Sequence, residues 1–133
     1  MIGSMAKGTA EISVNADPDE IWKTVREFGG LAEWMPGIES CTLDGDVRTL
    51  AMMGIEIKEQ LRSLEDDTRT LAYSVVESPM GNLESHLATI HIEPEGAGSH
   101  ITYDVEVSPD ELVGLFQPVY EGALVEMKKK FEA

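Results

Sequence analysis

An arginine and a glutamate on an otherwise apolar strand face are the residues with the clearest chemical potential in this chain. Arg48 lies in Val47-Arg48-Thr49-Leu50 and Glu59 in Ile57-Lys58-Glu59-Gln60-Leu61, on either side of a tight turn at Met53-Gly54. A two-residue loop there pairs Met52 with Ile55, Leu50 with Ile57 and Arg48 with Glu59. Directly paired residues share a face, and so do alternate residues along each strand. Arg48, Leu50 and Met52 therefore join Ile55, Ile57, Glu59 and Leu61 on one face, while Glu56, Lys58, Gln60 and Arg62 take the solvent side. An Arg–Glu pair set in such a face can bind and polarise a carbonyl or an enol, with the carboxylate as base or orienting group. The same pattern suits an ion pair that only fixes the strand register.

Of the three histidines, His86 is the one that the pairing of the last hairpin turns inward. A five-residue loop over 94–98 sets Ile92 opposite Ile101, Ile90 opposite Tyr103, Ala88 opposite Val105 and His86 opposite Val107. Glu84 continues that face, whereas His91 falls on the other one, so the histidines lack the spacing of metal ligands. An imidazole with an ordinary pKa of about 6.5 exchanges protons near neutrality. Aldol-type cyclisation needs a base to remove a proton beside a carbonyl and donors to hold the enolate. His86, Glu84, Tyr73 and Tyr103 are of the types that supply these. A histidine or tyrosine that merely satisfies its own hydrogen bonds at a pocket wall has the same signature. Cys41 stands alone without an evident base, and Gly96-Ala97-Gly98 reads as a hairpin turn rather than a phosphate cradle. Neither a metal nor a cofactor is expected.

Positioning these groups takes an antiparallel sheet. Glu11-Ile12-Ser13-Val14-Asn15 alternates as a half-buried strand does. Asp17-Pro18-Asp19-Glu20 opens a helix, with Asp17 as cap, Pro18 at the first position and Glu20 completing a capping box. Ile21, Trp22, Val25 and Phe28 form its apolar face, Gly29-Gly30 stops it, and a second short turn over 31–35 ends at Pro36-Gly37. Strands follow from Ile38 onward, over 47–53, 55–64, 70–77, 83–93 and 99–107. The intervening turns are Asp66-Asp67-Thr68, Ser78-Pro79-Met80-Gly81-Asn82 and 94–98. Ser108-Pro109-Asp110-Glu111 repeats the capping-box logic before a long C-terminal helix, which Pro118 is expected to kink or interrupt. Leu112, Phe116, Val119, Tyr120, Ala123, Leu124, Met127 and Phe131 line one stripe of it. One strand, two short helices, six hairpin-linked strands and a long helix make an α+β layout, and a sheet curved around that helix leaves a cavity between them.

The chain has 133 residues, with 25 acidic against 10 basic side chains and a net charge of −15. Phosphate contacts need a basic face, so nucleic acid is an unsuitable partner, as is an anionic membrane surface. Apolar runs fall short of a membrane span, and one cysteine excludes an intramolecular disulfide. These features describe a soluble, cytoplasmic domain over 8–133, preceded by residues 1–7 as a flexible or added leader around Met1-Ile2-Gly3-Ser4-Met5. They leave the oligomeric state open, a homodimer included.

The segments Ile12-Ser13-Val14-Asn15-Ala16-Asp17-Pro18-Asp19-Glu20-Ile21-Trp22 and Leu31-Ala32-Glu33-Trp34-Met35-Pro36 resemble the START-like, helix-grip (SRPBCC) superfamily, in particular its polyketide cyclase/dehydrase and lipid-transport branch. Val47-Arg48-Thr49-Leu50, the following turn with Glu59-Gln60-Leu61, and Pro94 before a Gly-rich turn resemble it too. The likeness runs from about Gly8 to Phe131. It implies a helix-grip fold: a curved seven-stranded antiparallel sheet around the long C-terminal helix, with two short helices between the first two strands. It also implies a small hydrophobic ligand, aromatic, polyketide-like or lipid, in an internal cavity. Cyclase or dehydrase chemistry would then rest on Arg48, Glu59 and His86. The expected ligand-facing set is Trp34, Met35, Leu50, Met52, Ile57, Tyr73, Glu84, Ile90, Tyr103, Phe116, Tyr120 and Met127, with Trp34 and Met35 placed either to pack against the long helix or to gate the mouth. Fold does not fix activity, so a lipid or quinone chaperone and a protein-interaction module with a self-filled cavity stand as alternatives. The short link Asp44-Gly45-Asp46 and the short turn at Gly54 depart from the family pattern and bear on one end of the cavity.

Overall fold

A computed structural model describes residues 5–79 and 81–132. Seven strands form one antiparallel sheet in the order β1-β7-β6-β5-β4-β3-β2. In chain order they are β1 (Ala6–Val14), β2 (Ile38–Asp44), β3 (Val47–Met52), β4 (Ile55–Glu65), β5 (Thr70–Glu77), β6 (Ser85–Glu95) and β7 (Gly98–Ser108). Helix α1 (Pro18–Val25) and a 3-10 segment (Phe28–Glu33) lie between β1 and β2, and α2 (Val113–Phe131) closes the chain. This is the helix-grip architecture: consecutive hairpins build most of the sheet, and β1 returns to pair with β7.

Local chemistry accounts for these elements. The Asp17 carboxylate accepts the Asp19 N–H at 2.8 Å and caps α1, with Pro18 beginning the helix. Glu20 turns aside to Lys23, at 3.0 Å, rather than completing a capping box. Helix α1 ends at Val25, so Phe28 is not on it but opens the 3-10 segment, buried all the same. Strand β1 starts at Ala6, earlier than the alternation over 11–15 suggests, and takes Ala6 and Lys7 from the expected leader into the sheet. Residues 1–4 of that leader and Met80 of the 78–82 turn lie outside the described residues.

The β3–β4 hairpin has the expected register, with Met52 opposite Ile55, Leu50 opposite Ile57 and Arg48 opposite Glu59. Both turn residues are left-handed, Met53 at φ 52° and Gly54 at φ 78°, as a two-residue turn matched to strand twist requires. On β6–β7 the expected pairs also form, from Ile92–Ile101 to His86–Val107. The loop is shorter than expected, because pairing continues through Pro94–Ser99 and Glu95–Gly98 to leave only Gly96-Ala97 in the turn. Bulges at Lys58/Glu59 and at Leu61/Ser63 interrupt β4–β5 on either side of Glu59. Bulges bend a strand and increase its twist, so these help wrap the sheet around α2.

At the start of α2 a 3-10 turn (Asp110–Leu112) intervenes, and Ser108 does not cap it. Its hydroxyl donates instead to Glu84, at 2.9 Å. The helix runs on through Pro118 without interruption. Tyr120, Ala123, Leu124 and Met127 are buried from α2, against a concave sheet face whose core includes Ile90, Ile92, Ile101, Tyr103, Val105 and Val107. Among the described residues no helix is long and apolar enough to cross a membrane.

Candidate functional site

Arg48 and Glu59 are 3% and 8% exposed, one cross-strand pair deep in the concave face. Arg48 Nε donates to Glu59 Oε1 at 2.8 Å, Nη2 lies 2.7 Å from the same oxygen, and Nη1 donates to the Phe28 carbonyl at 3.1 Å. The guanidinium carbon stands 3.9 Å from the centre of the Phe28 ring and 4.6 Å from that of Tyr73, a desolvated cation–π arrangement. Burial is the largest single influence and works against the Arg48 charge, but Glu59 and the neighbouring Tyr73 and Tyr103 together outweigh it, and the guanidinium stays protonated. Burial also pushes the Glu59 carboxyl above its ordinary range, with Arg48 pulling it only partly back. No hydrogen bond from a described residue reaches Glu59 Oε2. Glu59 is one of the residues lining the cavity beside it, and among the described residues no buried side-chain polar atom lacks a partner.

A second polar layer joins β5, β6, β7 and α2. Tyr73 and Tyr103 share a hydroxyl–hydroxyl hydrogen bond. The Tyr103 ring stacks on Tyr120 with centroids 3.9 Å apart and planes 6° from parallel. His86 Nε2 is 2.9 Å from the Tyr120 oxygen, and its Nδ1 accepts the Val75 N–H at 3.1 Å. The backbone explains that last bond. Pairing of β5 with β6 stops at Tyr73–Ala88, so the ladder leaves the Val75 N–H without a carbonyl, and the His86 ring takes it. With Nδ1 accepting, the neutral ring carries its proton on Nε2 and donates to Tyr120. Burial lowers the His86 pKa to about 4, which keeps the ring neutral near pH 7. Burial raises all three tyrosines well above 10, so their hydroxyls stay protonated.

A cavity of about 210 Å³ lies between β3–β5 and the first turns of α2. Its walls are apolar, with Leu31, Met35, Leu50, Met52, Ile57 and Phe116 prominent, and Glu59, Tyr73, Ser78 and Tyr120 are the polar residues that also line it. Met53, Ile55, Leu115 and Val119 also line it and are exposed, which marks the mouth.

The structure sorts the residues singled out in the sequence into four groups. Met35, Leu50, Met52, Ile57, Glu59, Tyr73, Phe116 and Tyr120 line the cavity. Arg48, His86 and Tyr103 stand one layer behind, each held against a lining residue. Trp34, Ile90 and Met127 are packed in the core away from the cavity, Trp34 against Tyr103 at 6.5 Å between centroids. Glu84 is outside. It precedes β6, where alternation has not begun, and its exposed carboxylate accepts from Ser108. The mouth residues were missed as a group, although Leu115 and Val119 are four apart on α2 and Ile55 shares the face of Ile57. His91 and His100 face outward, and His100 lies 3.2 Å from Glu11 and 3.3 Å from Glu95. Among the described residues no group of acidic, histidine or cysteine side chains is arranged to hold a metal ion.

Residues 5–132 match the family model described as polyketide cyclase / dehydrase and lipid transport. No curated protein sequence matches the chain. Among solved structures, protein XoxI from Bacillus cereus is 26% identical with a TM-score of 0.89, covering 96% of each chain. Ginseng major latex-like protein 151 from Panax ginseng is 14% identical with a TM-score of 0.82, over 98% of this chain and 100% of that one. Norcoclaurine synthase from Thalictrum flavum, in complex with dopamine and hydroxybenzaldehyde, is 21% identical with a TM-score of 0.75, over 96% of this chain and 86% of that one. The last two likenesses show the fold alone.

Proposed function

The chain belongs to the polyketide cyclase/dehydrase and lipid transport family, and from that premise we propose that its cavity binds a small, one- or two-ring hydrophobic ligand. The observation that carries this reading is the cavity itself, apolar in its walls and open at an apolar mouth. Its 210 Å³ exceeds the roughly 150 Å³ of an engineered cavity that holds benzene, and falls below the roughly 300–1,000 Å³ of sites for larger ligands. On that scale it takes about eight to ten non-hydrogen atoms, which favours a compact aromatic over a multi-ring polyketide or a long acyl chain. The void also weighs against an interaction module plugged by its own side chains.

Native mass spectrometry of the purified protein, followed by extraction, tests the reading. A co-purified compact apolar molecule is expected, or saturable uptake of an alkylbenzene by an empty protein. Met52→Trp, which fills the wall, should abolish uptake without unfolding the chain. Failure of any such ligand to bind sinks the proposal.

A second reading, proton transfer on an enolisable ketone, is favoured by Glu59 and Tyr120 lining one cavity. Glu59 takes the proton beside the carbonyl, the C–H electron pair becomes the enolate double bond, and Tyr120 donates to the oxygen. His86 acts there as a positioning residue, through Tyr120, rather than touching ligand. Deuterium exchange into phenylacetone from D₂O, lost in Glu59→Gln, is the expected signature; exchange at the buffer rate rejects it.

A further inference from the structure

Resting on the reading of the cavity as a small-ligand site, we propose that its polar side selects a neutral molecule presenting a hydroxyl donor, of the phenol or alcohol class, to Glu59 Oε2.

Three features of the geometry lead there. Glu59 is 8% exposed, and both Arg48 nitrogens that reach it converge on Oε1. Oε2 is thus a carboxylate oxygen with acceptor capacity, in an environment where an unmade hydrogen bond is costly. Tyr120 lines the same cavity, but its hydroxyl is already engaged, taking the His86 Nε2–H and interacting with the Tyr73 hydroxyl. A ligand hydroxyl can donate to Glu59, whereas an ether can only accept and a hydrocarbon does neither.

Charge narrows the class further. A carboxylate or phosphate ligand would find no free cation, because Arg48 is already held by Glu59, and would enter a molecule of net charge −15. An ammonium ligand would find Glu59 already neutralised, because Arg48 is held against it and against the Phe28 and Tyr73 rings. Burying a second cation there would leave it without a counter-charge.

Calorimetric titration at pH 7 with matched single-ring ligands decides the matter: 4-ethyltoluene, 4-ethylphenol, 4-ethylanisole, 4-ethylbenzoate and 4-ethylbenzylammonium. The first two differ only by methyl against hydroxyl. Roughly tenfold or tighter binding of 4-ethylphenol than of 4-ethyltoluene or 4-ethylanisole is expected, the scale of a hydrogen bond to a charged acceptor. Benzoate and benzylammonium should bind more weakly than the phenol. Equal binding of 4-ethylphenol and 4-ethyltoluene, or a charged ligand matching the phenol, overturns the hydroxyl selection while the cavity reading survives. Binding of none of the five overturns the cavity reading and this proposal with it. Replacing the pair together, Arg48→Met with Glu59→Leu, avoids stranding one charge. In that variant, with its fold checked by circular dichroism, the ratio of 4-ethylphenol to 4-ethyltoluene affinity should fall to about one; a retained preference also overturns the assignment.

Discussion

Because the Val75 N–H fills Nδ1 of His86 and burial holds the ring at a pKa of about 4, protonating it in the folded state sets two donors against each other. The unfolded chain protonates it at an ordinary pKa of about 6.5. Its stability contribution is therefore complete above about 6.5 and drains away as pH falls towards 4, by about 3 kcal/mol for a shift of this size. Urea titrations should show that loss in the natural chain and a flatter profile over the same window in His86→Gln; identical profiles would place the pH lever elsewhere. Arg48→Ala strands a buried carboxylate and should cost roughly 3–5 kcal/mol at pH 7. Glu59 then has a folded pKa raised further by burial, so the stability it offers is present at low pH and lost as pH rises. The deficit of the variant should accordingly shrink between pH 7 and pH 5, and a deficit independent of pH would show that Glu59 is not the stranded group. Any loss of ligand binding in Arg48→Ala has to be read beside that stability change.

At the scale of elements, the close approach of β7 to β1 rests on a missing side chain. A Cβ on Gly98 would stand 2.5 Å from the Val14 carbonyl oxygen, a backbone atom that cannot swing aside. Gly98→Ala should cost about 1–3 kcal/mol, an overpacking penalty, read as a lower urea midpoint at unchanged slope; an unchanged midpoint would mean that the β1 end yields freely. Sequence shows such features unevenly. The Arg48–Glu59 and His86–Val107 pairings were legible because period-2 alternation and short turns leave few alternative registers. The bulges flanking Glu59 were not, since an extra residue in a strand has no composition of its own. Nor was the gap between β5 and β6 at Val75, which turns His86 from a candidate proton shuttle at the cavity into a ring bonded to backbone behind Tyr120. Alternation reports which face a residue takes. It does not report whether core, cavity or a second polar layer lies over that face, which is why Ile90 and Met127 look like pocket walls and are packed core.

The whole molecule carries 25 acidic and 10 basic residues, a net charge of −15, and its basic side chains are largely engaged in surface pairs. Lys23 with Glu20, Lys129 with Glu126 and Lys128 with Glu132 are of this kind, and exposed pairs contribute little. What remains is a surplus of carboxylates repelling one another across a compact domain, which unfolding relieves. Salt shortens the range of that repulsion, from a Debye length of about 30 Å at 0.01 M to under 10 Å at 0.5 M. Salt also weakens the surface pairs, so the two effects oppose, and the surplus decides the sign. The melting temperature should therefore rise between 0.01 M and 0.5 M sodium chloride, a salt chosen over sulfate because sulfate strengthens burial in any protein. A fall would show that attractive pairs outweigh the surplus. The same field acts on ligands: an anion approaching the apolar mouth formed by Met53, Ile55, Leu115 and Val119 meets repulsion that a neutral aromatic does not. Uptake of 4-ethylphenol should accordingly be nearly independent of salt, whereas any residual binding of 4-ethylbenzoate should strengthen as salt is added.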